Sequence, residues 1–168
     1  PLDLILSYSN FCLQNTLLGK FVPKLQDKGP DGAGIETVLC ASPLSMGLLR
    51  SQKAPGFHPA SDSLKAAVEE ASKYTQSQGT DLADLAVRFA MRNWKTGPYV
   101  YGMSSIQEVE NAVKVYWQVN GSGKDSLEIK ESDAQLTQKV QEIFRKHNQL
   151  DATWPSGIEH PDLLPKSE

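Results

Sequence analysis

Short apolar runs alternate along the chain with longer stretches in which apolar residues recur every three to four positions. The short runs cover residues 2–7, 35–41 and 99–101, and they are typical of parallel strands covered on both faces. The longer stretches predict amphipathic helices, and they cover residues 13–25, 63–78, 81–96, 106–119 and 135–147. Because every strand is followed by a helix, the pattern indicates βαβ crossovers in an α/β fold with a parallel sheet.

Breaks in the pattern place the connections between these elements. Asp62 is predicted to cap the second helix, Gly97 and Pro98 end the third, and the Gly/Ser/Lys-rich residues 120–130 are predicted as a linker. Three parallel strands cannot close a barrel, and the first run has no partner strand before it. We therefore expect the sequence to hold part of a larger fold.

Composition and charge exclude several classes of partner. Of the 168 residues, 39% are hydrophobic and 22% are charged, as in a soluble globular domain. The 17 basic and 20 acidic residues give a net charge of −3, so neither a nucleic acid nor an anionic membrane is expected as a partner. No apolar run reaches the roughly 18 residues that span a bilayer, and no signal peptide is recognisable.

The cysteine count points to a reducing compartment. Cys12 and Cys40 are the only cysteines, too few for a disulfide scaffold and without the paired spacing of a zinc site. No metal site is therefore predicted, and a cytoplasmic location is expected.

Two corners rich in hydroxyl groups and glycine follow the second and third predicted strands. The first corner, residues 42–47, reads Ser-Pro-Leu-Ser-Met-Gly, and the second, residues 102–105, reads Gly-Met-Ser-Ser. Ligands of parallel α/β folds bind at the carboxyl ends of the strands, where small residues and helix N-termini suit a phosphate or pyrophosphate. The alternative is that both are tight turns whose serines cap helices. Neither corner is a P-loop or a dinucleotide-binding glycine fingerprint.

The residues at these corners resemble those of a known family. The first corner with Leu48 and Leu49, the Phe-His-Pro-Ala of residues 57–60, Gly102 with Met103, and the Thr-Trp-Pro-Ser-Gly-Ile of residues 153–158 are similar to the C-terminal half of an aldo-keto reductase. The similarity is closest to the branch of fungal D-arabinose and plant L-galactose dehydrogenases. It implies that residues 1–150 are strands six to eight of a (β/α)₈ barrel with their helices, and that residues 151–168 are a C-terminal tail.

The resemblance also implies a set of cofactor-binding residues. The pyrophosphate would lie on the first corner and the adenosine on the second corner and the next helix, which gives Ser42, Pro43, Leu44, Ser45, Met46, Gly47, Gly102, Met103, Ser104, Ser105, Glu108 and Asn111. Arg50 can add charge there or lie on a solvated face. The family's catalytic Asp, Tyr, Lys and His belong to earlier strands, so no catalytic residue maps onto this chain.

The residues at and after the second corner differ from those of relatives that use NADPH. Many of these place an Arg where Glu108 stands and a Lys where Gly102 stands, and both pair with the 2′-phosphate. A carboxylate would instead repel that phosphate, so NAD is predicted over NADP. Asn111 and Ala112 also replace the Glu and Asn that hold the adenine in many relatives.

The resemblance implies a dehydrogenase that oxidises a small-molecule sugar to its lactone. Trp154 either fixes the C-terminal segment to the barrel or forms part of the substrate pocket, and it is predicted as a substrate-binding residue. The missing N-terminal half of the barrel would be the partner of this chain. The alternative is a truncated, non-catalytic half barrel that binds a nucleotide or another protein.

Overall fold

The structure, a computed structural model, describes residues 2–121 and 124–154. Residues 155–168 of the predicted tail, with the Pro-Ser-Gly-Ile that follows Trp154, and residues 122 and 123 of the predicted linker lie outside the described residues. In chain order the elements are β1 (Leu4–Tyr8), α1 (Leu17–Gln26), β2 (Thr37–Ala41), α2 (Asp62–Ser77), α3 (Leu82–Asn93), β3 (Tyr99–Val100), α4 (Ile106–Asn120) and α5 (Lys124–Lys146).

The strands form one parallel sheet in the order β1-β2-β3. Leu6 lies opposite Leu39, and Cys40 lies opposite Tyr99, so the carboxyl ends of β2 and β3 meet at the same edge. This confirms the predicted α/β class and places the two corners side by side.

Two clusters of buried side chains hold the helices in place. One lies on the helix-covered face of the sheet and contains Phe11, Leu18, Ile35, Val38, Cys40 and Trp94. The other joins α2, α3 and α5 to the segment after β2, and its members include Leu48, Leu49, Leu64, Leu85, Val140 and Phe144. The second cluster packs directly beneath the first corner, so the helices give that corner a rigid support.

A buried ion-pair cluster joins α3 to α5. Asp133 accepts hydrogen bonds from the Nε and Nη2 atoms of Arg88 at 2.8 and 2.9 Å, and Arg92 donates to the same carboxylate. The side chains of Arg88 and Asp133 are only 8% and 7% exposed. Two cations around one buried carboxylate fix the pairing of these helices.

β1 differs from its prediction as a strand covered on both faces. Leu4, Leu6 and Tyr8 are 54%, 51% and 51% exposed, while the alternating Ile5 and Ser7 are partly covered. Because side chains alternate along a strand, all three exposed residues share one face. Within the described residues, only the opposite face of β1 is packed against helices.

Three helix boundaries also differ from the sequence analysis. α5 begins at Lys124, so the prediction of a linker through residue 130 is wrong, because residues 124–130 include good helix formers such as Leu127 and Lys130. α1 begins at Leu17 rather than at residue 13, because the Asn15 side chain accepts the Leu17 amide at 3.0 Å. The cap of α2 is Ser61 rather than Asp62, since the Ser61 hydroxyl accepts the Leu64 amide.

None of the helices in the described ranges has the length and hydropathy needed to cross a bilayer.

Candidate cofactor site

The first corner holds a run of left-handed backbone conformations. The φ angles are +66° at Ser42, +52° at Ser45, +59° at Met46 and +79° at Gly47. Only glycine adopts this region freely, and each other residue there costs about 1–2 kcal/mol. Strain of this kind persists where the surroundings impose it, and it concentrates at functional sites.

Hydrogen bonds within and below the corner impose this conformation. The Ser42 hydroxyl accepts the Met46 amide at 2.7 Å, and the Ser42 carbonyl accepts the Ser45 amide at 3.0 Å. The Ser45 carbonyl accepts two donors, the Leu48 amide at 3.2 Å and the His58 Nε2 at 2.9 Å. The backbone groups of the turn are therefore held before any ligand binds.

Two amides of the corner have no acceptor. Pro43 has no amide hydrogen, and no residue described by the structure accepts a hydrogen bond from the amides of Leu44 or Gly47. Successive amides in left-handed turns form concave sites for anions. The corner therefore presents two unsatisfied donors, which suits a phosphate or pyrophosphate.

The second corner is organised around a carboxylate. Glu108 Oε2 accepts the Ser104 amide at 2.5 Å and the Ser104 hydroxyl at 3.0 Å, while Ser105 caps α4 by accepting the Glu108 amide at 3.2 Å. The hydrogen bonds from Ser104 hold the pKa of Glu108 below its usual range. Glu108 thus occupies the position at the helix N-terminus that a phosphate would take. A neutral hydroxyl donor suits this corner better than an anion.

A cavity of about 970 Å³ separates the two corners. It lies at the carboxyl ends of the strands, where ligands of parallel α/β folds bind, and it is large enough for a dinucleotide. Three acids line it, Asp81, Asp84 and Glu108, and Arg50 is the one cation among its described lining residues. Burial raises the pKa of Asp84. The described residues contain no group of three or more His, Cys, Asp or Glu side chains that could hold a metal ion.

The model of the aldo/keto reductase family matches residues 19–134, more than half of the chain. The chain belongs to this family. Aldo-keto reductases are oxidoreductases with nicotinamide cofactors, and their fold is a (β/α)₈ barrel, of which the parallel sheet and helices described above are a part.

Two curated members of the family are similar to the chain over nearly its whole length. It is 41% identical over 165 residues to D-arabinose 1-dehydrogenase of Saccharomyces cerevisiae, and 34% identical over 156 residues to L-galactose dehydrogenase of Arabidopsis thaliana. These alignments cover 97% and 93% of the chain, but only 47% and 44% of the two relatives. The chain therefore spans about half the length of the relatives it matches.

The structure brings most of the predicted cofactor residues of this aldo-keto reductase chain into one cavity. The lining contains Ser42, Pro43, Leu44, Met46, Gly47, Gly102, Met103, Ser104, Glu108 and Asn111. Ser45 and Ser105 do not line it, because the Ser45 side chain is fully buried and the Ser105 hydroxyl caps α4. The side chains of these two serines fit the alternative prediction better, in which the corners are tight turns and their serines have structural roles.

The partly buried Trp154 packs against the buried His58 beneath the first corner. Trp154 does not line the cavity; its ring packs edge-on against that of His58, with 4.9 Å between centroids. This placement favours its role in fixing the C-terminal segment over the predicted contact with substrate. His58 was missed by sequence reasoning, and its only signal was its place in the Phe-His-Pro-Ala motif of residues 57–60.

The hydrogen bonds of His58 define its protonation. Its Nδ1 accepts the Ala60 amide at 3.0 Å, and its Nε2 faces the Ser45 carbonyl, which can only accept. The ring is therefore neutral with its proton on Nε2. Since His58 is only 3% exposed, it acts as a fixed donor that positions the corner.

The described lining contains two tyrosines but no lysine or histidine. Tyr8 and Tyr101 face the cavity, and burial raises the pKa of Tyr101. A tyrosine acting near neutral pH needs a nearby cation to lower its pKa. Among the described lining residues neither tyrosine has the lysine partner that the family's chemistry requires, so neither is assigned a catalytic role.

Proposed function

We propose that the cavity between the two corners binds NAD, and that the chain forms the cofactor-binding half of a cytosolic sugar 1-dehydrogenase. The names of the two relatives, D-arabinose 1-dehydrogenase and L-galactose dehydrogenase, support oxidation of a sugar, and the first name supports oxidation at C1. The free, buried thiols of Cys12 and Cys40 fit a reducing compartment.

The observation that carries the proposal is the contrast between the two corners. The first offers the unpaired amides of Leu44 and Gly47, which suit the diphosphate bridge of a dinucleotide. The second offers the Glu108 carboxylate, which suits the ribose hydroxyls of the adenosine end. A dinucleotide laid across the cavity would satisfy both.

The same carboxylate supports NAD over NADP. A 2′-phosphate at the second corner would meet the ionised Glu108, and the charge repulsion would weaken binding. No cation of the described lining lies at that corner to offset the repulsion, and Gly102 has no side chain there. Glu108 is thus the proposed specificity determinant.

The residues of this chain would bind and orient the cofactor rather than transfer protons. NAD held by the Leu44 and Gly47 amides and by Glu108 would supply the hydride acceptor for oxidation of the sugar hemiacetal at C1, and the hydroxyl proton would pass to a base, which would give the lactone. We assign that base and its Asp, Lys and His neighbours to a part of the protein outside this sequence, as the family's chemistry implies.

The exposed apolar faces of the chain support the proposal that further parts of a barrel pack against it. On α4, Ile106, Val109 and Trp117 are 80%, 47% and 64% exposed, and on β1 the residues Leu4 and Leu6 are half exposed. Such a surface favours association and is a liability when uncovered. The remaining strands and helices of a barrel would cover it. The second candidate, a non-catalytic half barrel that binds a nucleotide or a protein, would cover it with another chain.

A titration followed by an activity assay tests the proposal. The whole protein is titrated with NAD and with NADP and is then supplied with NAD and D-arabinose or L-galactose. We expect NAD to bind at least about tenfold more tightly than NADP, which is about 1.4 kcal/mol, and NADH to form together with the lactone. Binding of NAD without oxidation of any pentose or hexose would favour the second candidate. Binding of neither nucleotide would contradict the proposed function and would leave, of the second candidate, only a half barrel that binds a protein.

A further inference from the structure

Arg50 stands alone as a positive charge at an otherwise acidic cavity. It shares the described lining with Asp81, Asp84 and Glu108. A dinucleotide carries two negative charges on its diphosphate, and the three acids oppose its entry. One cation facing the same space is the group that can offset this repulsion.

Arg50 is held at the first corner rather than extended into solvent. A Cβ placed on Gly47 would lie 4.0 Å from its guanidinium carbon, and the side chain is only partly exposed. The guanidinium therefore lies over the turn that carries the two unpaired amides. Its charge also contributes, after the hydrogen bonds from Ser104, to the lowered pKa of Glu108. Arg50 thus lies at the first corner and faces the cavity.

The described residues leave one hydrogen-bond donor of Arg50 without a partner. Its Nε is buried without a partner among the described residues. The ion pairs of those residues use other cations, namely Lys20, Lys65, Lys73, Arg88, Arg92, Lys139 and Lys146. A buried guanidinium donor without an acceptor costs stability, and an oxyanion in the cavity would remove that cost.

We propose that Arg50 binds the diphosphate of the dinucleotide, together with the amides of Leu44 and Gly47. The inference rests on the proposed function and adds a residue to it. Arginine presents a planar pair of donors that matches two phosphate oxygens, and a charge-assisted bond of this kind is stronger than a neutral one. Arg50 would thereby fix the register of the dinucleotide across the cavity.

The test measures dissociation constants of the whole protein for NAD, NADP and ADP-ribose, which keeps the diphosphate but lacks nicotinamide. The variants are Arg50→Gln, Arg50→Lys and the control Lys53→Gln, which removes the same charge from an exposed residue outside the cavity. We expect Arg50→Gln to weaken NAD and ADP-ribose equally, by about ten- to a hundredfold, and to reduce the salt dependence of both affinities. Lys53→Gln should change each by less than about twofold.

Arg50→Lys covers the case in which Arg50→Gln does not fold. It keeps the charge but loses the paired donors, so we expect an intermediate loss that remains salt-dependent. Unchanged affinity for ADP-ribose in both variants would overturn the inference, and so would a loss confined to NADP, which would place Arg50 at the 2′-phosphate. The wild-type titration separates the two claims, because failure of the unsubstituted protein to bind NAD contradicts the proposed function itself.

Discussion

Replacement of His58 by alanine should destabilise the protein and weaken its cofactor site together. The substitution removes the donor to the Ser45 carbonyl and the acceptor of the Ala60 amide, and Ala60 is itself buried. A net hydrogen bond is worth about 0.5–1.5 kcal/mol, an orphaned buried donor costs about 1–3 kcal/mol, and the ring contact with Trp154 adds about 0.5–1.5 kcal/mol. We therefore expect the free energy of unfolding to fall by about 2–4 kcal/mol.

The His58→Ala substitution should also lower the affinity for NAD. Without His58, the Ser45 carbonyl keeps only the Leu48 amide, and the left-handed residues of the corner lose a restraint that offsets their strain. The amides of the corner would then have to be ordered by the ligand, so NAD affinity should fall by about tenfold. His58→Gln carries both a donor and an acceptor in its amide and should recover part of each loss.

Urea unfolding and NAD titration of the whole protein measure both effects. His147 provides the matched control, because its imidazole contacts the Glu70 carboxylate at 2.7 Å but is 25% exposed. His147→Ala should cost less than about 1 kcal/mol and leave NAD affinity unchanged. The reasoning is refuted if His58→Ala unfolds within about 0.5 kcal/mol of the wild type and binds NAD equally well.

Three further predictions concern charged groups. Glu108→Gln should raise NADP affinity by about tenfold relative to NAD in the same titration, and an unchanged ratio would contradict its role. Asp133→Ala leaves the buried Arg88 guanidinium unpaired and should cost about 3–5 kcal/mol in urea unfolding, against about 0.5 kcal/mol for the exposed Glu131→Ala. Burial would raise the pKa of Asp151, but hydrogen bonds from the start of α1 outweigh it and hold that pKa below its usual range. The stabilisation is thus present above the ordinary pKa of about 3.9 and lost as the pH falls, so Asp151→Asn should be less stable than wild type at pH 7 and equal to it in acid; a constant difference would contradict this sign.

The position of the site could be predicted from the sequence, because it follows from the strand order. Parallel strands bring their carboxyl ends to one edge, so the residues after β2 and β3 had to lie together. The hydroxyl and glycine content of both corners indicated a phosphate ligand, which suits the first corner. It does not suit the second, because the Glu108 carboxylate already accepts the Ser104 amide and hydroxyl. Periodicity found the helices, and α2 and α3 each bury one stripe of apolar residues. α4 differs, because among its described residues only Val115 is buried while Val109, Val113 and Tyr116 are about half exposed.

The conformation of the first corner could not be read from residue types. Ser42, Ser45 and Met46 have left-handed backbones that their residue types disfavour, and the hydrogen bonds that impose them include one from His58, thirteen residues away. The Ser45 side chain is also fully buried, which no local pattern indicates. The start of α5 was misplaced because glycine and serine near residue 121 outweighed the helix formers after them.

The most direct test of the central claim is a crystal structure of the whole protein with NAD. The account predicts diphosphate oxygens within about 3.2 Å of the Leu44 and Gly47 amides, and a ribose hydroxyl that donates to the Glu108 carboxylate. A dinucleotide bound elsewhere, or one whose diphosphate contacts neither amide, would contradict it.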